Sequence, residues 1–231
     1  MNNERARRLA LAMATSGVKL VAVDFDRTVV DVHTSGRFKG SGKALAQHVR
    51  PFFADFCHAA QDVGLWVAIV SFSPQASLIA DCMVAALGGK VARMYLRCAD
   101  GSWNVTHTQT RGTDFEHIDL TLKSGGKLGH VFSVVHDIQT RSGLVIRRSD
   151  CLFIDDDLAN VDKARAAGLG YAAWFPATYE PASANTIVWR ELEGLFLRNE
   201  GWNILATSAE VSAAGDAAAS AAITSILCTI L

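Results

Sequence analysis

Five short, nearly unbroken apolar runs punctuate the chain: Lys19–Phe25, Leu65–Val70, Val91–Leu96, Cys151–Ile154 and Tyr171–Phe175. Runs with little polar alternation are the mark of strands covered on both faces, as in parallel sheets. Between them lie segments with helical periodicity: Pro51–Val63, Gln75–Leu87, Lys127–Gln139, Leu158–Ala167 and Val188–Leu197. Pro51 suits a first helical turn, and Gly64, Gly88 and Gly168 stand where helices should stop. Repeated strand–helix units predict an α/β fold, a doubly wound, Rossmann-like parallel sheet with flanking helices.

Three segments depart from this alternation. Asp100-Gly101, between Val91–Leu96 and the alternating Trp103–Gln109, predicts a hairpin. Met1–Ser16 places Arg5, Arg7 and Arg8 before a brief apolar run; it resembles a targeting peptide in outline but reads better as an amphipathic first helix. Residues 205–231 are rich in alanine and serine and read as a loosely attached tail behind a domain of residues 1–204. The last apolar piece, Ile223–Leu231, is far short of the roughly 20 residues that cross a bilayer.

The 231 residues suit one α/β domain, and 50% hydrophobic against 19% charged residues exclude a disordered or collagen-like chain. The net charge of −1 provides no bulk basic field for nucleic acid or anionic membrane. Cys57, Cys82, Cys98, Cys151 and Cys228 form no CxxC pair, so neither a disulfide framework nor a thiolate zinc site is expected. They read as small buried hydrophobes in a reducing compartment. The expectation is a soluble, intracellular, cytoplasmic protein without a membrane partner.

The chemistry gathers at predicted strand ends. Asp24-Phe25-Asp26-Arg27-Thr28 follows the first strand, and ligands of open α/β sheets bind beyond the carboxyl ends of strands. Period-2 geometry aims Asp24 and Asp26 the same way. Two close carboxylates repel, which a cation relieves, and they can divide into nucleophile and general acid/base. Asp155-Asp156-Asp157 ends another strand and opens a helix. Three adjacent acids there select a hard cation, magnesium over zinc, although an acidic helix start accounts for one or two of them. Ser71, leaving a third strand, offers a hydroxyl and nearby N–H groups to a phosphoryl oxygen, with Ser73 the better helix cap. Lys127 begins a predicted helix, and Lys123 is its rival as the cation of the cluster; the run Ser124–Leu128 is not a Walker A loop.

Asp24-x-Asp26-x-Thr28, Ser71, Lys127 and Asp155-Asp156, in that order, resemble the four motifs of the haloacid dehalogenase superfamily over about Val18–Phe175. The resemblance implies a phosphatase acting through an aspartyl-phosphate. Asp24 would be the nucleophile. Asp26 would be the general acid/base, and its carbonyl would help hold Mg²⁺ with Asp24, Asp155 and Asp156. Thr28, Ser71 and Lys127 would bind phosphate, and Asn160 would give outer support to the metal ligands. Arg27 stands where a glycine is common in that motif. A carboxyl at Asp26 resembles the phosphatases rather than the members that attack carbon.

No large cap domain fits the insertion points, which leaves Asp31–Gly42 as a flap. His33, Thr34, Arg37 and Lys39 on it are candidates for substrate contact but read first as solvated loop residues. Minimally capped relatives imply an open cleft for a phosphorylated substrate: a small molecule, a protein or a nucleic-acid end. His107, His117, His130 and His136 show no metal-ligand spacing and read as surface or core residues. Trp66, Trp103, Trp174, Trp189 and Trp202 read as core. The alternative is a non-catalytic phosphoacceptor or binding module on the same kind of sheet, akin to a response-regulator receiver. Asp26 beside Asp24 favours the enzyme, because a binding module needs no general acid. Oligomeric state is left open.

Overall fold

The computed structural model describes residues 2–89, 91, 93–175 and 192–197. The elements in chain order are α1 (Asn2–Thr15), β1 (Leu20–Asp24), α2 (Gly42–Ala46), α3 (Pro51–Asp62), β2 (Trp66–Val70), α4 (Ala76–Ala86), β3 (Met94–Arg97), α5 (His107–Thr110), α6 (Leu128–Ser142), β4 (Cys151–Asp155), α7 (Leu158–Ala166) and β5 (Tyr171–Trp174). Each apolar run becomes a strand, and all adjacent pairs are parallel in the order β3-β2-β1-β4-β5. The chain builds outward from β1 to β3, then crosses to the other side of β1 for β4 and β5. Adjacent β1 and β4 therefore meet at the topological switch point, where open α/β sheets bind ligands.

The sheet is covered on both faces, which explains the unbroken apolar runs. Val21, Val23, Val67, Ile69, Leu152 and Ile154 pack on one side with α1, α3 and α4. Leu20, Ala22, Ala68, Val70, Cys151 and Phe153 pack on the other with α6 and α7. Phe52, Phe53 and Phe56 of α3 fill the first core, and Phe115, Phe132 and Phe153 the second. The opening segment is the amphipathic helix: Ala6, Leu9, Ala10 and Met13 are fully buried in α1, against α3. Arg50 before Pro51 is extended (φ −62°, ψ 128°), as a residue preceding proline must be, so α3 starts sharply.

Two expectations are corrected. Residues 98–106 form no hairpin: the Asp100 carboxylate accepts hydrogen bonds from the Ser102 N–H and hydroxyl, and the Trp103 indole donates to the Cys98 carbonyl at 2.6 Å. These local bonds turn the chain into loop and the short α5 instead of a return strand. None of the three described tryptophans is fully buried: Trp66 is half-buried against the second core, Trp103 is half-buried and Trp174 is 43% exposed. Of Val188–Leu197, residues 192–196 are helical and 188–191 lie outside the described residues, as do the 205–231 tail, Cys228, Trp189 and Trp202. The four described cysteines are buried free thiols, with burial raising the pKa of each. Among the described residues no helix is long and apolar enough to cross a membrane.

Helix α2 carries the end of the Asp31–Gly42 flap and packs closely on α4. Ser41 caps it through the Ala44 N–H. A Cβ on Gly42 would stand 2.4 Å from the Asp81 Cβ and 2.8 Å from the α4 backbone. Gly42→Ala should therefore force α2 off α4 and cost about 1–3 kcal/mol of stability, measured by urea unfolding.

Candidate active site

Strand parity decides where the first carboxylate goes. Asp24 lies two residues beyond Ala22, and Asp155 two beyond Phe153, so both side chains stand on the face that α6 covers. Helix α6 opens on that face with Lys127 at its N-cap. The Lys127 ammonium donates to Asp24 Oδ1 and, at 2.9 Å, to Asp155 Oδ2. All three side chains are buried, Asp155 completely. Gly126 makes this approach possible: its φ is +61°, and a Cβ there would stand 2.9 Å from Asn160 Oδ1. Lys123 is exposed and away from the cleft.

The acidic triplet splits into three jobs. Asp155 is the last residue of β4, and its carboxylate also accepts from the Asp157 N–H (2.8 Å) and the Asn160 amide (3.2 Å). Asp157 caps α7 through the Ala159 N–H, as an acidic helix start would. Asp156 faces the cleft, and its carbonyl is held by the Trp174 indole at 2.9 Å.

After Asp24 the chain leaves the strand in a wide turn, Phe25–Val29, closed by the Val30 N–H on the Phe25 carbonyl. Arg27 takes a left-handed conformation (φ 62°), which costs a residue with a Cβ about 1–2 kcal/mol. Arg50 braces the turn from beneath, its guanidinium donating to the carbonyls of Thr28 (3.2 Å) and Arg27 (3.1 Å). The turn separates the two aspartates that period-2 spacing aims together. Both line the cleft, but the Asp26 carboxylate is fastened to the flap by the Thr34 N–H (3.1 Å), the Thr34 hydroxyl (2.9 Å) and His33 Nδ1 (3.1 Å). It thus stands outside the carboxylate cluster described below, leaving its backbone carbonyl as the group expected to help hold a cation. Thr28, expected to bind phosphate, does not line the cleft: it is fully buried and its hydroxyl donates to Asp24 at 3.2 Å.

Ser71 follows β2 and lines the same cleft, its Oγ accepting from the Ser73 N–H at 3.1 Å. Ser73 in turn accepts from the Gln75 N–H at the start of α4. Phe72 is 44% exposed at the cleft, with the Lys127 ammonium 5.3 Å from its ring centroid. Behind it His130 is fully buried between Phe72 and Trp103, with Nε2 3.2 Å from the Ser71 carbonyl and Nδ1 without a hydrogen-bond partner. Burial and the nearby Lys127 charge lower its pKa to about 3, so it is neutral. The cleft measures about 500 Å³. His33 lines it; Arg37 and Lys39 are exposed on the flap away from it.

Asp24, Asp155 and Asp156 each bring a carboxylate oxygen within 4.8 Å of the others. One ammonium among three carboxylates leaves an excess of negative charge. Burial pushes the pKa of Asp24 up to about 6, with Asp156 adding to the rise and Lys127 opposing it. Burial and the Asp24 charge push Asp155 up to about 6, and burial with the Asp155 charge raises Asp156. Burial disfavours the charge on Lys127, but Asp24 and Asp155 outweigh that and raise its pKa. An all-oxygen donor set with surplus negative charge fits a hard divalent cation such as Mg²⁺.

Sequence reasoning missed Arg50 and the hold of Thr34 on Asp26. Arg50 carried one readable signal, its place before a helix-opening proline. Thr34 carried none, because its partner is eight residues away across a loop.

No family model matches the chain, and no curated protein matches it. Among solved structures, the HAD domain of the effector protein Lem4 from Legionella pneumophila (inactive mutant) is similar with a TM-score of 0.35 and 9% identity, over 76% of this chain and 95% of that one.

Two outcomes follow from this charge balance. A carboxyl whose pKa is raised from 3.8 to about 6 contributes stability below pH 3.8 that is lost as pH rises through about 6. In EDTA, the melting temperature should fall between pH 4.5 and 7, and Asp155→Asn should flatten that fall. Lys127→Ala, which strands two buried carboxylates, should cost about 3–5 kcal/mol in urea unfolding at neutral pH.

Proposed function

We propose that this protein is a Mg²⁺-dependent phosphatase of haloacid dehalogenase type that hydrolyses phosphomonoesters through an aspartyl-phosphate on Asp24. The observation that carries the reading is the convergence of Asp24, Asp155 and Asp156 within 4.8 Å at the switch point, with Lys127 on two of them and Asp26 facing the same cleft.

In this reading Asp24, Asp155, Asp156 and the Asp26 carbonyl would hold the cation, which would supply charge neutralisation for the reacting phosphoryl group. Asp24 attacks phosphorus, and the bond to the leaving-group oxygen breaks as Asp26 protonates that oxygen. Asp26 then takes a proton from water, whose oxygen attacks phosphorus and frees the Asp24 carboxylate and inorganic phosphate. Lys127 and Ser71 hold phosphoryl oxygens while charge spreads over them. Thr34 and His33 keep Asp26 on the open side of the cleft, where the leaving group departs. The short flap suits a phosphomonoester whose remainder extends outward, including one on a macromolecule.

Hydrolysis of an aryl phosphate by the full chain tests this. Activity should require Mg²⁺ and vanish in EDTA. Asp24→Asn should lower kcat by about 10⁴ or more, and Asp26→Asn by about 10²–10⁴. Full activity in Asp24→Asn would overturn the mechanism. Mg²⁺ and phosphate binding without turnover of any phosphomonoester would favour the phosphoacceptor or binding module.

A further inference from the structure

Arg27 is the one described residue of the cleft that combines an unfavourable backbone conformation with a charged side chain held by no hydrogen bond or ion pair. Its φ of 62° is one that a glycine would adopt freely. Its backbone is held on both sides, the N–H by the Val32 carbonyl at 3.0 Å and the carbonyl by Arg50 at 3.1 Å. Its side chain is exposed and lines the cleft, yet among the described residues the guanidinium makes no hydrogen bond or ion pair. The fold therefore spends conformational energy on a firmly held backbone that presents a cation at the cleft, directly after Asp26. Strain of this kind is kept where a ligand contact depends on it.

Lys127 faces the buried floor of the cleft, where the phosphoryl group would sit. Arg27 is exposed, so its guanidinium meets the part of a substrate that lies further out. A guanidinium matches carboxylate or phosphate with two parallel hydrogen bonds, a geometry that neutral groups do not reproduce. We propose that Arg27 is a specificity residue that pairs with a second anionic group, carboxylate or phosphate, on the leaving-group side of the phosphomonoester. This rests on the phosphatase reading for the placement of the first phosphate. The nearby acids set its limits: Arg27 lies close enough to Asp156 to favour that residue's ionised form, so simple charge compensation is the competing role.

Equilibrium binding separates these. The full chain carrying Asp24→Asn, with Mg²⁺ present, is titrated calorimetrically with phenyl phosphate, with meta- and para-carboxyphenyl phosphate and with meta-phenylene bisphosphate. At least one doubly anionic ligand should bind about tenfold tighter than phenyl phosphate. The carboxylates against the bisphosphate distinguish the two sources of the second charge. Adding Arg27→Gln should bring the ratio close to one, and Arg27→Lys should retain part of it. Arg27→Gly should likewise lose the preference while raising the melting temperature, which shows that the loss is not misfolding. Equal affinities for all four ligands would overturn the inference and leave the phosphate site standing. A preference that persists in Arg27→Gln, with Mg²⁺ affinity altered instead, would overturn it in favour of charge compensation. Binding of none of the ligands would overturn the inference and the phosphatase reading together.

Discussion

The ammonium of Lys127, buried between Asp24 and Asp155, is the interaction around which this molecule is arranged. Taking each such charge out of water costs several kcal/mol, and their mutual attraction repays this only when the geometry is good. The geometry comes from three separate parts of the chain. Two strand ends share a face by parity, and α6 begins on that face because Gly126 lets its first turn close against Asn160. The arrangement is balanced for something more than the protein alone, since Asp156 adds a third carboxylate without a second lysine. That surplus of negative charge on an all-oxygen donor set is what a hard divalent cation would balance.

The two aspartates of the turn differ in what surrounds them. Asp24 is buried against Lys127, whereas Asp26 is held by the neutral donors of Thr34 on the flap and by His33. The two carboxylates are thereby parted, one into the buried cluster and the other against the flap. The partition depends on the turn between them, and the turn depends on Arg50. Arg50 is 6% exposed, and its guanidinium holds two of the turn's carbonyls while lying over the Phe175 ring at 4.9 Å. The flap is tied down in its turn by the mutual hydrogen bonds of Phe38 and Gln75. The cleft is therefore bounded by backbone fixed on several sides, the preorganised setting that charge stabilisation requires.

The strands and most helices were legible because a strand buried on both faces can tolerate almost no polar residue. Lys19–Phe25 and Cys151–Ile154 could hardly have been anything else. The hairpin at Asp100-Gly101 misled for the opposite reason. Its signal was local, and the competing local bonds of Asp100 with Ser102 and of Trp103 with Cys98 were stronger. Trp174 shows a related limit: an apolar run contained it, but it lies at the sheet edge where its indole is needed by the Asp156 carbonyl.

What the sequence determined by itself was the sheet, its two-sided burial and the acids at its strand ends, because each follows from periodicity within a few residues. The order of the strands, and so the meeting of Asp24 with Asp155, was decided only by tertiary structure, since 131 residues separate the paired ends Leu20 and Cys151 in the chain. The same holds for which lysine enters the site. Lys123 and Lys127 differ little as sequence, but four residues along the turn that leads into α6 leave the first in solvent and put the second between two carboxylates. Thr34 and Arg50 belong to this class as well. Their roles exist only as contacts with distant backbone and carboxyl groups, and such contacts leave no trace in the periodicity of the residues that make them.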